Sequence, residues 1–383
     1  MKQNTTYKQT ELGLIPEDWE VKKLGEILKE YSLGGNYENN SEESGIPLIK
    51  MGNIGRGKID LSKIEYLPKN VNYSKNDILK YNDILFNTRN TLDLVGKVSI
   101  WKNEALFALY NSNLLRLYFK EDFVENNDYV NFQFNSEITL ANLKKYATGT
   151  TSVAAIYTKD LLKLKFLLPP LPEQKKIADC LSTWDVAIEK QSQLINALTD
   201  RKKALMQQLL TGKKRLPGFS DEWKEVSLIE LADFRRGSFP QPYGLPEWYD
   251  NENGEPFIQV YDVGDNFNLK PTTKSKISEL AQVQSVFIKK GTLIVTLQGS
   301  IGKVAITNYD AYIDRTLLLF SSFKMKVDIY FIMYQIHNLF NIEKEKAPGG
   351  IIKTITKEVL SNFKIKLPSF EEQTAIAEIL ATA

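Results

Sequence analysis

Leu167-Leu168-Pro169-Pro170-Leu171-Pro172-Glu173-Gln174-Lys175-Lys176-Ile177-Ala178 decides how this chain is built, because it occurs twice. It returns as Ile365-Lys366-Leu367-Pro368-Ser369-Phe370-Glu371-Glu372-Gln373-Thr374-Ala375-Ile376-Ala377, in both places where a mixed segment ends and a helical one begins. Four more pairs follow in the same order. Asp18-Trp19-Glu20-Val21 matches Glu222-Trp223-Lys224-Glu225-Val226, and Gly45-Ile46-Pro47-Leu48-Ile49 matches Gly254-Glu255-Pro256-Phe257-Ile258. Val95-Gly96-Lys97-Val98 pairs with Ile301-Gly302-Lys303-Val304, and Tyr157-Thr158-Lys159-Asp160 with Ile355-Thr356-Lys357-Glu358. A fixed-period repeat sets the architecture. Copies of about two hundred residues are too long for solenoid units, so each is expected to be a domain with its own core.

Composition allows this. The 383 residues, 43% hydrophobic and 25% charged, suffice for two cores and speak against wholesale disorder. No apolar run is long enough for a bilayer, and Met1-Lys2-Gln3-Asn4-Thr5-Thr6 lacks the apolar stretch of a signal peptide, which points to the cytoplasm and no membrane. A single cysteine, Cys180, and a single histidine, His337, exclude an internal disulfide and any multi-cysteine zinc or histidine-rich metal centre. The net charge of +2 hides little polarity: residues 1–170 carry 22 basic and 21 acidic side chains, 171–215 carry 9 and 5, and 216–383 carry 18 and 21. Bulk charge therefore does not announce a nucleic-acid binder.

From Glu173 to Gly212 the chain lacks both glycine and proline in its interior, and its apolar positions fall four and three apart. They are Ile177, Leu181, Trp184, Ile188, Ile195, Leu198, Leu205 and Leu209, with Gln191 and Lys202 interrupting: a heptad seam on a helix. Some 40 residues would make a rod of roughly 60 Å, too long to pack on one small domain. Pro172 and Glu173 suit its start, and Gly212 with Lys213-Lys214-Arg215 its end. The second copy starts the same helix, with Ile376 and Leu380 in the places of Ile177 and Leu181, and runs only to Ala383. Pseudo-two-fold symmetry would lay the two helices antiparallel. The shorter one leaves much of the seam uncovered, where a second copy of the chain could pair. Residues 7–16, which resemble the approach to Trp223, are expected to continue the rod from the other end.

Segments 20–170 and 224–366 read as α+β. Short strands are expected at Ile46–Met51, Asp83–Asn87, Lys97–Ile100, Leu114–Tyr118, Leu293–Leu297, Val304–Ile306 and Leu317–Phe320, with helices over Asp128–Phe134 and Val327–Gln335. The expected organisation is a first domain over 1–170, a central helix over 171–215, a second domain over 216–368 and the start of a short helix over 369–383.

No catalytic motif stands out. Gly52-Asn53-Ile54-Gly55-Arg56-Gly57-Lys58-Ile59 nearly spells a phosphate-binding loop, but Ile59 occupies the place of the magnesium-binding hydroxyl and a strand-like segment follows. Glu20-Val21-Lys22 has a nuclease-like spacing without the upstream Pro-Asp. There is no Asn-Pro-Pro-Tyr of the amino-methyltransferase kind. His337 and Cys180 read as packing or surface residues.

A duplicated domain that opens near Asp18-Trp19 and closes in Leu168 to Ala178, followed by a long helix ending in Leu209-Leu210-Thr211-Gly212-Lys213, resembles the specificity subunit of type I restriction-modification enzymes. The likeness spans essentially the whole chain. It implies two target recognition domains, each reading half of a bipartite double-stranded DNA site, held apart by helices that also dock two methyltransferase subunits. Restriction subunits would bind beyond them. The chain would be non-catalytic, with S-adenosylmethionine and ATP on its partners and no cofactor of its own.

Given that resemblance, polar loop residues at repeat-equivalent places are the candidate DNA contacts. Arg89 suits a guanine edge or a phosphate, Asn90 and Gln298 an adenine, and Lys97 and Lys303 phosphates, with Ser300 beside them. The loop of Thr150 and Thr151 and the loop ending at Lys353 contain small residues that let backbone amides approach a phosphate. Asn111, Asn113 and Arg315 face the groove or cap a strand. Turn chemistry competes as an explanation for each. A fused methyltransferase or nuclease is the rival disfavoured by the missing motifs, and a protein-binding scaffold the rival that balanced charge leaves open.

Overall fold

The repeated motifs at the two ends of each copy meet in space. The computed structural model describes residues 6–41, 45–68, 71–346, 360 and 363–383, and the chain divides into two units, Met1–Gln191 and Ser192–Ala383. In the first unit strand Glu20–Lys23, directly after Trp19, pairs antiparallel with Lys165–Leu168, directly before the Pro-Glu-Gln motif. In the second, Lys224–Ser227 pairs in the same way with Lys364–Leu367. Entrance and exit are zipped together, so the helix that follows leaves from a fixed point.

The Pro-Glu-Gln motif locks that exit. Gln174 is buried and its Nε2 donates to the carbonyls of Phe123 (2.8 Å) and Pro169 (2.9 Å). Its counterpart Gln373 donates to Pro368 O (3.0 Å) and accepts from the Asp328 amide (3.0 Å). One residue earlier, Glu173 accepts from the Trp19 indole and Glu372 from the Trp223 indole, both at 3.1 Å. Glu372 also holds Arg215 with two 2.8 Å bonds, and Arg215 lies over the Trp223 ring. The tryptophan at the entrance and the glutamate at the exit are one latch.

Each unit is organised by a four-stranded antiparallel sheet. The order is Leu28–Leu33, Leu114–Phe119, Ile84–Asn87, Val98–Ile100 in the first and Ala232–Arg236, Leu317–Phe323, Leu293–Thr296, Val304–Ile306 in the second. The central strands are apolar on both faces because each face meets a separate core. Ile84 and Phe86 join one cluster and Leu85 another, as Val295 and Ile294 do in the second unit. A second sheet, three-stranded in the first unit and four-stranded in the second, repeats an unusual feature: Ile46–Ile49 pairs parallel with Leu109–Tyr110, and Glu255–Ile258 parallel with Ala311–Ile313. The duplication therefore extends to strand direction. Helix Asn127–Phe134 is capped by the Asn126 side chain and drives Phe134 against Phe86 and Phe166. Its counterpart runs from Ile329 to Lys346, longer than the expected Val327–Gln335.

The central helix spans Leu171–Leu209. It stops where the sequence indicated: Gly212 takes φ +71°, and the Gly212 and Lys214 amides fold back on Leu209 O and Gln208 O.

One expectation is corrected. Residues 7–16 do not extend a rod but form a β-hairpin, Tyr7–Thr10 with Gly13–Pro16. Gly13 at φ +103° makes the turn, and Thr10 Oγ1 clamps it by donating to Gly13 O and accepting from Leu12 N. The seam divides between a covered end and an open middle. Ile376 and Leu380, 1% and 0% exposed, lie in the core of the second unit with Leu209 and Leu210, while Leu205 packs at its edge. Helix Phe370–Thr382 is thus a core helix of its own domain. Ile177 is half-buried, but Leu181, Trp184, Ile188, Ile195 and Leu198 stand 41–66% exposed.

Candidate nucleic-acid interface

The two units build one loop framework from different residues. In the first, strand Ile84–Asn87 ends in a crossing: the Asn87 amide donates to Lys97 O (2.8 Å) and the Gly96 amide returns to Asn87 O (2.9 Å). In the second, Thr296 N donates to Lys303 O and Gly302 N to Thr296 O, both at 2.9 Å. Gly96 at φ +76° and Gly302 at φ +82° adopt the left-handed conformation that the crossing requires, and a Cβ on Gly302 would lie 2.8 Å from Phe340. A second tie is also shared: Thr88 N reaches Asn113 O (3.0 Å) as Leu297 N reaches Thr316 O (2.9 Å). The repeat thus encodes a scaffold, and the residues that differ lie on its loops.

In the first unit this scaffold gathers most of the candidates. Arg89–Asn90 forms a short strand paired with Ala154–Ala155, which pairs in turn with Thr148–Gly149. The tip of that hairpin carries exposed Thr150 and Thr151, and Thr151 O accepts from Leu92 N (3.2 Å). Thr88 Oγ1 donates to Asn113 O (2.8 Å), joining the Asn111–Asn113 turn to the same patch. Arg89 is exposed, and its guanidinium makes no hydrogen bond or ion pair among the described residues. The Asn90 and Asn111 carbonyl oxygens accept from Thr91 N (2.8 Å) and Asn113 N (3.2 Å). That leaves their amide NH2 groups as donors without a hydrogen-bond partner among the described residues. Lys97 is half-buried beside the crossing.

In the second unit Gln298 and Ser300 are exposed at the tip of the equivalent loop. Lys303 is tied to Asp265 (2.6 Å), an ion pair at the surface. Arg315 is exposed over the Tyr243 ring, 5.1 Å from its centroid. Lys353 lies outside the described residues. The sequence reading missed the aromatic group around Arg315: Phe239, Tyr243, Tyr249 and Tyr261. Phe239 stacks on Phe257 at 4.6 Å and meets Tyr243 at 4.9 Å. Burial first, then the hydrogen bond to Asp314, pushes the Tyr243 phenol above its usual range, so the hydroxyl remains a donor. The available signal was the run Ser238-Phe239-Pro240-Gln241-Pro242-Tyr243, aromatic residues close to Arg235 and Arg236 without a counterpart in the first copy.

Among the described residues no three His, Cys, Asp or Glu side chains converge as a metal site, and no helix is long and apolar enough to cross a membrane. Arg116, on a central strand, is a structural cation: it bonds Asp83 (3.0 Å) and Ile78 O (2.9 Å) and lies over Tyr110 and Tyr118.

Known proteins carry the same duplicated frame. The family model for the type I restriction modification DNA specificity domain matches residues 16–200 and again 220–383. The protein named as the specificity subunit of the type I restriction enzyme MjaX of Methanocaldococcus jannaschii is 30% identical over 390 residues, covering 98% of this chain and 88% of its own. The specificity subunit of the Escherichia coli enzyme EcoBI is 23% identical over 373 residues, 88% of this chain and 73% of that one. The crystal structure of the S subunit of a type I restriction-modification system from M. genitalium superposes with a TM-score of 0.58 at 14% identity, over 95% of this chain and 88% of that one, a likeness of fold. With both halves matched and this chain aligned almost from end to end with the first relative, it belongs to the family of type I restriction-modification specificity subunits.

Proposed function

We propose that the chain is the non-catalytic reader of a type I restriction-modification assembly, with residues 1–170 and 216–368 each reading one half of a bipartite duplex site. The observation that carries this is the shared loop framework dressed with unlike side chains: Arg89, Asn90 and Thr150 on one copy, Gln298, Ser300 and Arg315 on the other. Two copies of one scaffold with different tips suit two different base sequences. The helix over residues 171–215 fixes the unread spacer, because two readers on one rigid element make half-site spacing a geometric property of the protein. Its exposed seam, Leu181, Trp184, Ile188, Ile195 and Leu198, docks two methyltransferase subunits, with restriction subunits beyond. S-adenosylmethionine and ATP bind those partners, and the assembly works in the cytoplasm.

The test is selection from a randomised duplex library by the full chain assembled with its methyltransferase subunit. Two blocks of fixed sequence separated by a spacer of fixed length but free sequence are expected. Binding should weaken steeply as salt rises. A single block, or equal binding to every duplex, overturns the reading.

A further inference from the structure

The turn Asp314-Arg315-Thr316 and the turn Asn111-Ser112-Asn113 are the same piece of backbone. The Asn111 amide donates to Ile49 O and the Asp314 amide to Ile258 O, both at 3.0 Å, and each turn is closed by a 3.0 Å bond from residue 114 or 317 back to its first carbonyl. In each, the first side chain accepts from the amide two residues on, at 3.2 Å. At the tip one copy carries Ser112 and the other Arg315.

Around Arg315 the second unit has built a support that does not pair with it. Asp314, 3% exposed, sits next in the chain, yet its carboxylate is occupied: it accepts from the Tyr243 hydroxyl, from Thr316 N and, at 3.5 Å, from Gln259 Nε2. Gln259 Oε1 accepts in turn from the Tyr261 hydroxyl, and the Lys274 ammonium lies 5.0 Å from the centre of the Tyr261 ring. Tyr243 is braced by Phe239 as well as by Asp314. The Arg315 guanidinium, its carbon 5.1 Å from the centre of the Tyr243 ring, makes no hydrogen bond or ion pair among the described residues.

We propose that Arg315 is a specificity-determining residue that reads a guanine in the half-site of the second domain, with Lys274 on a nearby phosphate. This deepens the DNA-reading function proposed above and rests on it. A contact to phosphate needs charge and reach but little orientation. A guanine edge needs more, since its N7 and O6 lie in one plane and call for a planar fork held in register. Lying over a ring that is itself fixed from two directions biases the guanidinium toward one place and removes rotamer freedom before binding. The short Ser112 at the first domain's tip cannot reach as far, so the first half-site has no matching requirement at this place.

The experiment compares wild type with Arg315→Lys, Arg315→Ala and Tyr243→Phe in the library selection, each variant first checked for an unchanged melting curve. In wild type the second block contains one position held as guanine. Arg315→Lys keeps the charge but loses the fork, so preference for guanine there should fall roughly ten- to a hundredfold while the first block and overall affinity are nearly kept. Arg315→Ala should lose the same preference along with some affinity, and Tyr243→Phe should weaken it in part. If Arg315→Lys keeps the second block intact, or Arg315→Ala weakens all duplexes equally with the motif unchanged, the residue is a phosphate contact and the inference fails alone. If wild type selects no sequence at all, the proposed function fails and takes the inference with it.

Discussion

The glutamines of the repeated motif should be worth more to stability than their place at a domain boundary suggests. Replacing Gln373 by alanine strands two groups, the Pro368 carbonyl and the Asp328 amide, each now bonded at 3.0 Å to a side chain that is 2% exposed. An unsatisfied buried group costs about 1–3 kcal/mol, so Gln373→Ala should destabilise the second unit by about 2–4 kcal/mol. Gln174→Ala strands two carbonyls, those of Phe123 and Pro169. Carbonyls are left under-satisfied more readily than amides, and a smaller loss of about 1–2 kcal/mol is expected in the first unit. Because two units need not unfold together, a single melting temperature is the wrong readout. Hydrogen exchange of the central strands separates them. In Gln373→Ala, strand Leu293–Thr296 should exchange roughly thirty- to several-hundredfold faster while Ile84–Asn87 is unchanged, and Gln174→Ala should reverse the pattern with a smaller factor. A change below twofold in either variant, or equal changes in both units, would refute the view that the motif locks each exit separately.

Three further outcomes follow from named contacts. Gly302→Ala should cost about 2–4 kcal/mol, combining a left-handed backbone with a Cβ 2.8 Å from Phe340, whereas Gly244→Ala, also at positive φ but with open space around it, should cost about 1 kcal/mol in denaturant titration. Arg116→Met leaves the Asp83 carboxylate buried without its cation and should destabilise the first unit by about 3–5 kcal/mol. Burial, the largest influence, already pushes the Asp83 carboxyl above its ordinary value, so the folded variant takes up a proton before the unfolded chain does. The deficit should therefore shrink as pH falls through that folded pKa, which urea titrations at several pH values will read. Trp184→Ser, at a site 66% exposed, should leave thermal stability within about 0.5 kcal/mol and abolish co-purification with the methyltransferase subunit.

What the sequence disclosed, it disclosed through repetition and punctuation. The paired motifs announced the duplication, and Gly212 announced the helix end, because a left-handed glycine after a long glycine-free run leaves little room for another reading. The strands were found as short apolar runs; their near-continuous hydrophobicity reflects burial on both faces, as at Ile84, Leu85 and Phe86. The hairpin at residues 7–16 was misread because its likeness to the approach to Trp223 outweighed a two-residue alternation only four residues long. The fate of Ile376 and Leu380 was hidden as well: heptad spacing is the same whether a helix meets a partner helix or its own domain's core. At the candidate loops the scaffold was legible from Gly96 and Gly302, but the support under Arg315 was not. Tyr243, Gln259 and Asp314 come from three separate segments, and neither periodicity nor local spacing records their meeting.

On the proposed function, one helix spaces two readers. Inserting one helical turn after Gln191, in a stretch where residues 187–201 are all exposed, tests this directly. A turn adds about 5.4 Å along the axis, against a rise of about 3.4 Å per base pair of duplex, so the preferred spacer should change by one or two base pairs while both half-sites keep their sequences. An unchanged spacer with full binding would show that helix length does not set the separation of the half-sites.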